Sequence, residues 1–191
     1  MSAEFIYTGK VEGNLETSNS GKPVFKGTVG EVAVWVYGKA GETLDDLKGR
    51  YALVKGSIES RVANNGRVFP KLRVYSAAPA DPRHQVNLFV INGEVEANKR
   101  IKDGLYEALV NVKGSEFKDG KRVEVRYNLP VSNSRTADSD IGRQVTITGR
   151  LAVRQGKFMD LLGEGVALAG AASPSLDTPT TEDVLDDDLL V

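Results

Sequence analysis

Two short stretches of this chain separate apolar side chains from aromatic and basic ones. In Glu31–Tyr37, an extended backbone puts Val32, Val34 and Val36 on one face and Trp35 and Tyr37 on the other. In Val68–Tyr75, Val68, Pro70, Leu72 and Val74 share a face, and Phe69, Lys71, Arg73 and Tyr75 share the opposite one. The aromatic and basic faces point away from the expected core. A flat ring offers a surface on which any nucleobase can stack, at about 1–3 kcal/mol per base, while neighbouring cations neutralise phosphates. Bases in a duplex are already stacked, so such a surface selects single strands. Trp35, Tyr37, Phe69 and Tyr75 are the candidate stacking residues. Lys26, Arg61, Arg67, Lys71 and Arg73 are the candidate phosphate contacts. The same aromatics would also suit packing against a second domain or another subunit. A protein-interaction scaffold that does not touch nucleic acid is therefore the alternative reading. Burial of Trp35, Tyr37 and Phe69 in an interface is what would favour it.

Other chemistry is poorly supplied. The chain has no cysteine and a single histidine, His84, so neither a histidine-assisted nucleophile nor a zinc site is readily built. Gly38-Lys39 lacks the glycine-rich lead and the following Ser or Thr of a phosphate loop. Asp186, Asp187 and Asp188 are consecutive residues of a polar tail and cannot hold rigid metal geometry. No enzymatic activity, cofactor or metal is expected. No apolar run reaches the roughly 20 residues that span a bilayer. The N-terminus lacks the basic-then-apolar layout of a signal peptide. The chain reads as soluble and cytoplasmic, without a membrane partner.

The strands that position these residues come in two copies. Phe5-Ile6-Tyr7-Thr8-Gly9-Lys10-Val11-Glu12-Gly13-Asn14 is echoed by Phe89-Val90-Ile91-Asn92-Gly93-Glu94-Val95-Glu96-Ala97-Asn98. Gly49-Arg50, Gly56 and Arg61 are echoed at the same spacings by Gly142-Arg143, Gly149 and Arg154. The second copy carries nine extra residues, which fit best in a hairpin around Val112 to Arg122. Asn64-Asn65-Gly66 predicts a tight turn between two strands of the first copy. The spacing predicts a helix over Thr43–Lys48, with Thr43 capping it, Asp45 and Asp46 in its first turn and Gly49 ending it. About five short strands with one helix between the third and fourth suggest a small closed barrel of the OB type. The expected fold is all-β: two tandem five-stranded OB barrels at 1–76 and 85–170, a linker at 77–84 and a disordered acidic tail at 171–191.

The second copy is poorer in aromatics. Val123, Val125 and Tyr127 share a face, opposite Arg122, Glu124, Arg126 and Asn128, and Gln144 to Arg154 alternates cleanly. Arg126, Arg135, Arg150, Arg154 and Lys157 are candidates to track phosphates, and the face of Phe158 is not assignable. The charge is divided along the chain. Residues 1–83 carry +3, residues 84–170 carry +2, and residues 171–191 hold six acids and no base. A tail of that composition cannot fold alone. Its apolar tip can dock on a partner, which makes Asp186, Asp187, Asp188, Leu189, Leu190 and Val191 the candidate partner-binding residues.

Three stretches resemble the bacterial single-stranded DNA-binding protein family. They are Val34-Trp35-Val36-Tyr37-Gly38-Lys39-Ala40, then Leu47-Lys48-Gly49, then Val54-Lys55-Gly56-Ser57-Ile58-Glu59-Ser60-Arg61. The match is densest over residues 31–75, and the acidic tail matches in kind. The resemblance implies OB folds and sequence-tolerant binding and protection of single-stranded DNA in replication, recombination or repair. It also implies recruitment of replication or repair proteins through the C-terminal tip. Tyr37 falls where the family places a stacking aromatic. Family tips usually end in proline and phenylalanine, whereas this one ends Leu189-Leu190-Val191. Most members carry one OB domain and assemble as tetramers. A two-domain chain resembles the minority that reach four barrels as a homodimer.

Overall fold

Phe5 and Phe89, the residues that open the two copies of the repeat, face each other in space. The computed structural model describes residues 2–118, 121–133, 135–154 and 158–169. Strand β1 (Ser2–Thr17) opens the first half and β6 (Asn87–Lys102) opens the second. The two strands pair antiparallel, with Ala3 opposite Ile91, Phe5 opposite Phe89 and Tyr7 opposite Asn87. Since the repeat equates Phe5 with Phe89, the ladder runs through a local two-fold axis at these residues.

The other edge of each strand is also paired. β1 meets β4 (Tyr51–Val62) with Phe5 opposite Gly56. β6 meets β9 (Gln144–Arg154) with Phe89 opposite Gly149. The glycines are required by space. A Cβ on Gly56 would lie 2.6 Å from Phe5 Cε1 and 2.2 Å from the Arg73 carbonyl oxygen. A Cβ on Gly149 would lie 2.8 Å from Phe89 Cζ and 1.9 Å from the Leu162 carbonyl oxygen. Both phenylalanines are fully buried, each ring filling the space that its glycine leaves.

In the first half, β2 (Pro23–Val29), β3 (Val32–Tyr37) and β5 (Val68–Pro79) complete the order β3-β2-β1-β4-β5. Helix α1 (Lys39–Asp46) follows β3, and Leu44 and Leu47 are buried in the core there. In the second half, β7 (Leu105–Lys118), β8 (Lys121–Asn133) and β10 (Phe158–Leu168) join β6 and β9. Their pairing runs β6-β7-β8-β10-β9 and back to β6, and its parallel step is the bridge between Leu162 and Ser132. The extra length of the second copy lies in β7 and β8, whose ladder extends to Lys118 opposite Lys121. The all-β class expected from the alternation is the class observed.

Three local expectations fare differently. The Asn64-Asn65-Gly66 turn forms as expected: Gly66 has φ +78° and its amide donates to the Ala63 carbonyl at 2.8 Å. The helix starts four residues earlier than Thr43. Gly38, at φ +66°, turns the chain directly from β3 into α1. Thr43 does not cap; its hydroxyl donates to the Lys39 carbonyl inside the helix, and the Asp45 carboxylate accepts the Leu15 amide at 3.0 Å. Gly41 is buried where a Cβ would lie 2.3 Å from the Val36 carbonyl oxygen, so its bareness lets α1 press on β3. Finally, β5 runs to Pro79, so residues 77–79 of the expected linker extend a strand. Among the described residues no helix is long and apolar enough to cross a membrane.

The Phe–Gly pairs give a direct test. Gly56→Ala and Gly149→Ala each force a methyl into backbone that cannot yield. Each should lower unfolding stability by about 1–3 kcal/mol, read as a lower urea midpoint at unchanged slope.

Candidate nucleic-acid interface

Strand β3 obeys its alternation. Val32, Val34 and Val36 are buried, while Trp35 is 67% and Tyr37 57% exposed. Neither ring is used to join the two halves. On β2, Lys26 sits directly opposite Trp35 and Val24 opposite Tyr37. Residues opposite each other on neighbouring strands share a face, so Lys26 and Trp35 project from the same side of the β2–β3 ladder. It pairs with Glu16 at 2.7 Å.

The third ring arrives by an irregularity. The β4–β5 ladder shifts between Lys55 and Gly56: Lys55 faces Ser76, Gly56 faces Val74, and Tyr75 is left over. An extra residue in one strand bends it and re-aims its side chain. Tyr75 is 57% exposed and lines a cavity of about 360 Å³ with Trp35, Tyr37, Lys39, Ala40, Arg73 and Val74. Partial burial, and then the nearby Glu4 carboxylate, raise the Tyr75 phenol above its ordinary value. Arg73 pairs with Glu59 at 3.3 Å, with the guanidinium more than half exposed. The Glu59 side chain is 25% exposed, so the pair is open to water from the Arg73 side.

Phe69 lies outside that cavity. It sits at the far end of the β4–β5 hairpin, opposite Arg61, with the Arg67 guanidinium carbon 5.1 Å from its ring centroid. That is cation–π distance. Lys71 lies opposite Glu59 on the same hairpin. Lys39, Arg61, Arg67 and Lys71 are exposed and make no ion pair among the described residues. Lys39 is a site residue that strand alternation does not mark, since it lies past the end of β3. A signal for it exists all the same: a glycine directly after an outward aromatic turns the next residue back along the same edge.

The second half differs. On β8, Leu129 and Val131 are buried, and the alternating outward positions carry Asn128, Pro130 and Ser132 with no aromatic. The β9–β10 ladder shifts at the place related to the Tyr75 bulge: Gly149 faces Gly163, Thr148 faces Gly165, and Glu164 is left over. Glu164 binds Arg150 at 2.8 Å. Arg154 is held by Asp160, whose hydrogen bond raises the guanidinium pKa further above its usual range. Two of the arginines expected to track phosphates are thus engaged with carboxylates. Arg126 is exposed and makes no ion pair among the described residues. Arg135 follows β8, with its amide on the Asn133 side-chain oxygen at 2.9 Å. Lys157, the side chain of Phe158 and the tail residues Asp186, Asp187, Asp188, Leu189, Leu190 and Val191 lie outside the described residues.

Tyr127 has a role that its apolar alternation does not announce. Its hydroxyl donates to the Ile58 carbonyl at 2.8 Å, which ties β8 of the second half to β4 of the first. Burial, assisted by the Glu59 carboxylate, pushes this phenol up to about 12.

No family model matches the chain, and no curated protein matches it by sequence. Solved structures do. The wild-type single-stranded DNA binding protein from Thermus aquaticus superposes with a TM-score of 0.59 at 15% identity, over 88% of this chain and 92% of that one. A deletion mutant of the same protein gives 0.60 at 15% identity, over 93% and 98%. At this identity the likeness is one of fold, and it extends through both halves.

The Tyr127 contact makes the fold sensitive to alkali. Above pH 10 the phenols of an unfolded chain ionise, while Tyr127 in the fold stays protonated to about pH 12. The Tyr127 contribution to stability should be constant below pH 10 and fall away between pH 10 and 12. Tyr127→Phe should flatten that fall in thermal melts. A residual slope should remain from Tyr7 and Tyr75, whose values are also raised.

Proposed function

We propose that this chain binds single-stranded DNA with little sequence preference, stacking bases on Trp35, Tyr37 and Tyr75. The observation that carries the reading is the convergence of three exposed rings from β3 and a β5 bulge on one cavity, with Lys39 and Arg73 in its wall. A shelf of that kind takes bases by their faces and leaves phosphates to the cations around it. Lys26, Arg61, Arg67 and Lys71 extend the basic surface along β2 and the β4–β5 hairpin, and Phe69 offers a further ring at its tip. The shared fold with the Thermus aquaticus protein supports the same reading. The scaffold alternative needs Trp35 and Tyr37 to pack against the second half or another subunit; within the chain both rings are exposed, so the first packing is not used, and the oligo-dT titration tests the second.

In this reading the two halves are tandem OB barrels at 1–76 and 85–170, joined through 77–84. Two barrels per chain make a homodimer the assembly that reaches four. The acidic tail, 171–191, recruits replication or repair proteins through Leu189-Leu190-Val191, and the protein works in the cytoplasm on exposed single strands. Protection of those strands is a matter of coverage, without catalysis or cofactor. The second half serves chiefly as framework, since the Tyr75 position is taken by Glu164 and Arg150 is bonded to it.

Trp35 is the only tryptophan, so its fluorescence reports one position. Oligo-dT should quench it strongly and a matched duplex weakly, with affinity falling as salt rises. Trp35→Ala and Tyr37→Ala should each weaken oligo-dT binding by about 1–3 kcal/mol, measured for the tryptophan-free variant by anisotropy of a labelled oligonucleotide. Binding to duplex as tight as to single strand would overturn the proposal.

A further inference from the structure

The aromatic cavity adjoins a second one at β5. Arg73 and Tyr75 line the first, and they also line this larger cleft of about 740 Å³ between the two halves. The far wall of that cleft is the β7–β8 hairpin, through Lys113, Gly114, Arg126 and Tyr127. The cleft is built into the fold. The β1–β6 ladder fixes one end, and the Tyr127 hydroxyl on the Ile58 carbonyl clamps the hairpin to β4.

Lys113 and Arg126 face each other directly across the β7–β8 ladder. Like charges in that relation repel. Glu124 relieves Lys113 at 3.3 Å, and nothing among the described residues relieves Arg126. Two opposed cations with one carboxylate partner, on Lys113, leave room for an anion at Arg126. The cleft also holds Glu4 and Glu59, and Glu59 pairs with Arg73 at 3.3 Å. Its three acids, Glu4, Glu59 and Glu124, and its three bases, Arg73, Lys113 and Arg126, therefore balance overall, and the base left without a carboxylate among the described residues is Arg126. Glu124 and the Arg73 guanidinium are each more than half exposed, so a phosphate can displace a carboxylate from these pairs at little cost.

We infer that the cleft is a second subsite for the same single strand, which leaves the Trp35–Tyr37–Tyr75 shelf past Arg73 and passes between the halves with its phosphates on Lys113 and Arg126. Bases stacked on Trp35 and Tyr37 lead to Tyr75 at the mouth of the cleft, and a strand that continues beyond Tyr75 meets this path first. The inference rests on the single-strand reading of the shelf and adds where the strand goes next. The β7–β8 extension thereby acquires a use: it is the element that brings a basic pair from the second half to the ligand of the first.

The test compares Lys113→Ala/Arg126→Ala with Lys99→Ala/Lys102→Ala, which removes the same charge from exposed positions outside the cleft lining. Each is titrated with an oligo-dT of about 6 nucleotides, within the reach of one OB shelf, and with one of about 30. Trp35 quenching is the readout, at several salt concentrations. The cleft variant should bind the short oligonucleotide as the unaltered chain does. It should bind the long one at least fivefold more weakly, with a salt slope smaller by about 1.4, two phosphate contacts at about 0.7 each. The control should keep the slope of the unaltered chain for both lengths. Equal loss on both lengths, no loss on either, or the same loss in the control would overturn the cleft path. Absence of quenching in the unaltered chain would instead overturn the shelf itself.

Discussion

The ladder between β1 and β6, centred on Phe5 opposite Phe89, is the constraint on which the rest of the molecule depends. Residues 4–7 of β1 are hydrogen-bonded on both edges, to β4 and to β6. Residues 89–92 of β6 are likewise held by β1 and β9. Without this ladder, each half would present a strand edge rich in Phe, Ile and Val, a template for unwanted pairing. Each would also be a small unit with limited core. With it, buried side chains from both halves form one continuous core, and the cleft beside Tyr127 has a fixed width. The site is assembled at the margin of this joint.

One scaffold has been used twice with different surface chemistry. Gly56 and Gly149 occupy equivalent places under Phe5 and Phe89, and each is followed across its ladder by a one-residue bulge. In the first half the extra residue is Tyr75, which turns toward Trp35 and Tyr37. In the second it is Glu164, which takes Arg150. The bulge thus accompanies the Phe–Gly pairing in both halves, and the side chain placed on it differs between them. A carboxylate there repels phosphate and also occupies the nearest cation.

Much of this is legible in the sequence. Alternation has a period of two, so Val32, Val34 and Val36 against Trp35 and Tyr37 can be read from six residues alone. The repeat marks Phe5, Phe89, Gly56 and Gly149 because their packing tolerates little else. Features that depend on pairing between distant strands are not legible. Alternation assigns Tyr75 to the right face, but its status as the unpaired residue of a bulge is a property of the β4–β5 register. The bonds of Arg150 to Glu164 and of Arg154 to Asp160 cross between β9 and β10, so a count of bases along the strand overstates the free charge. The onset of α1 is hidden because a glycine at φ +66° can start a helix as well as end one, and Gly38 does the former.

The distribution of ion pairs gives the molecule a direction. In the first half Lys39, Arg61, Arg67 and Lys71 stand without carboxylate partners among the described residues, the Lys26–Glu16 pair is open to water, and Arg73 is exposed beside a more buried Glu59. In the second half Arg100, Arg143, Arg150 and Arg154 are each bonded to an acid. A polyanion feels net local charge, and a cation already paired adds little to that field at distances longer than the separation of the pair, because its carboxylate cancels it. Under the proposed function, an approaching strand would be drawn first to the shelf, where unpaired cations and exposed rings coincide. On the inferred path it would extend from there toward Arg126, the exposed arginine that the second half presents in the cleft wall. The near-neutral charge of the whole chain conceals this order, because the field is set by which bases are left unpaired and by where they lie.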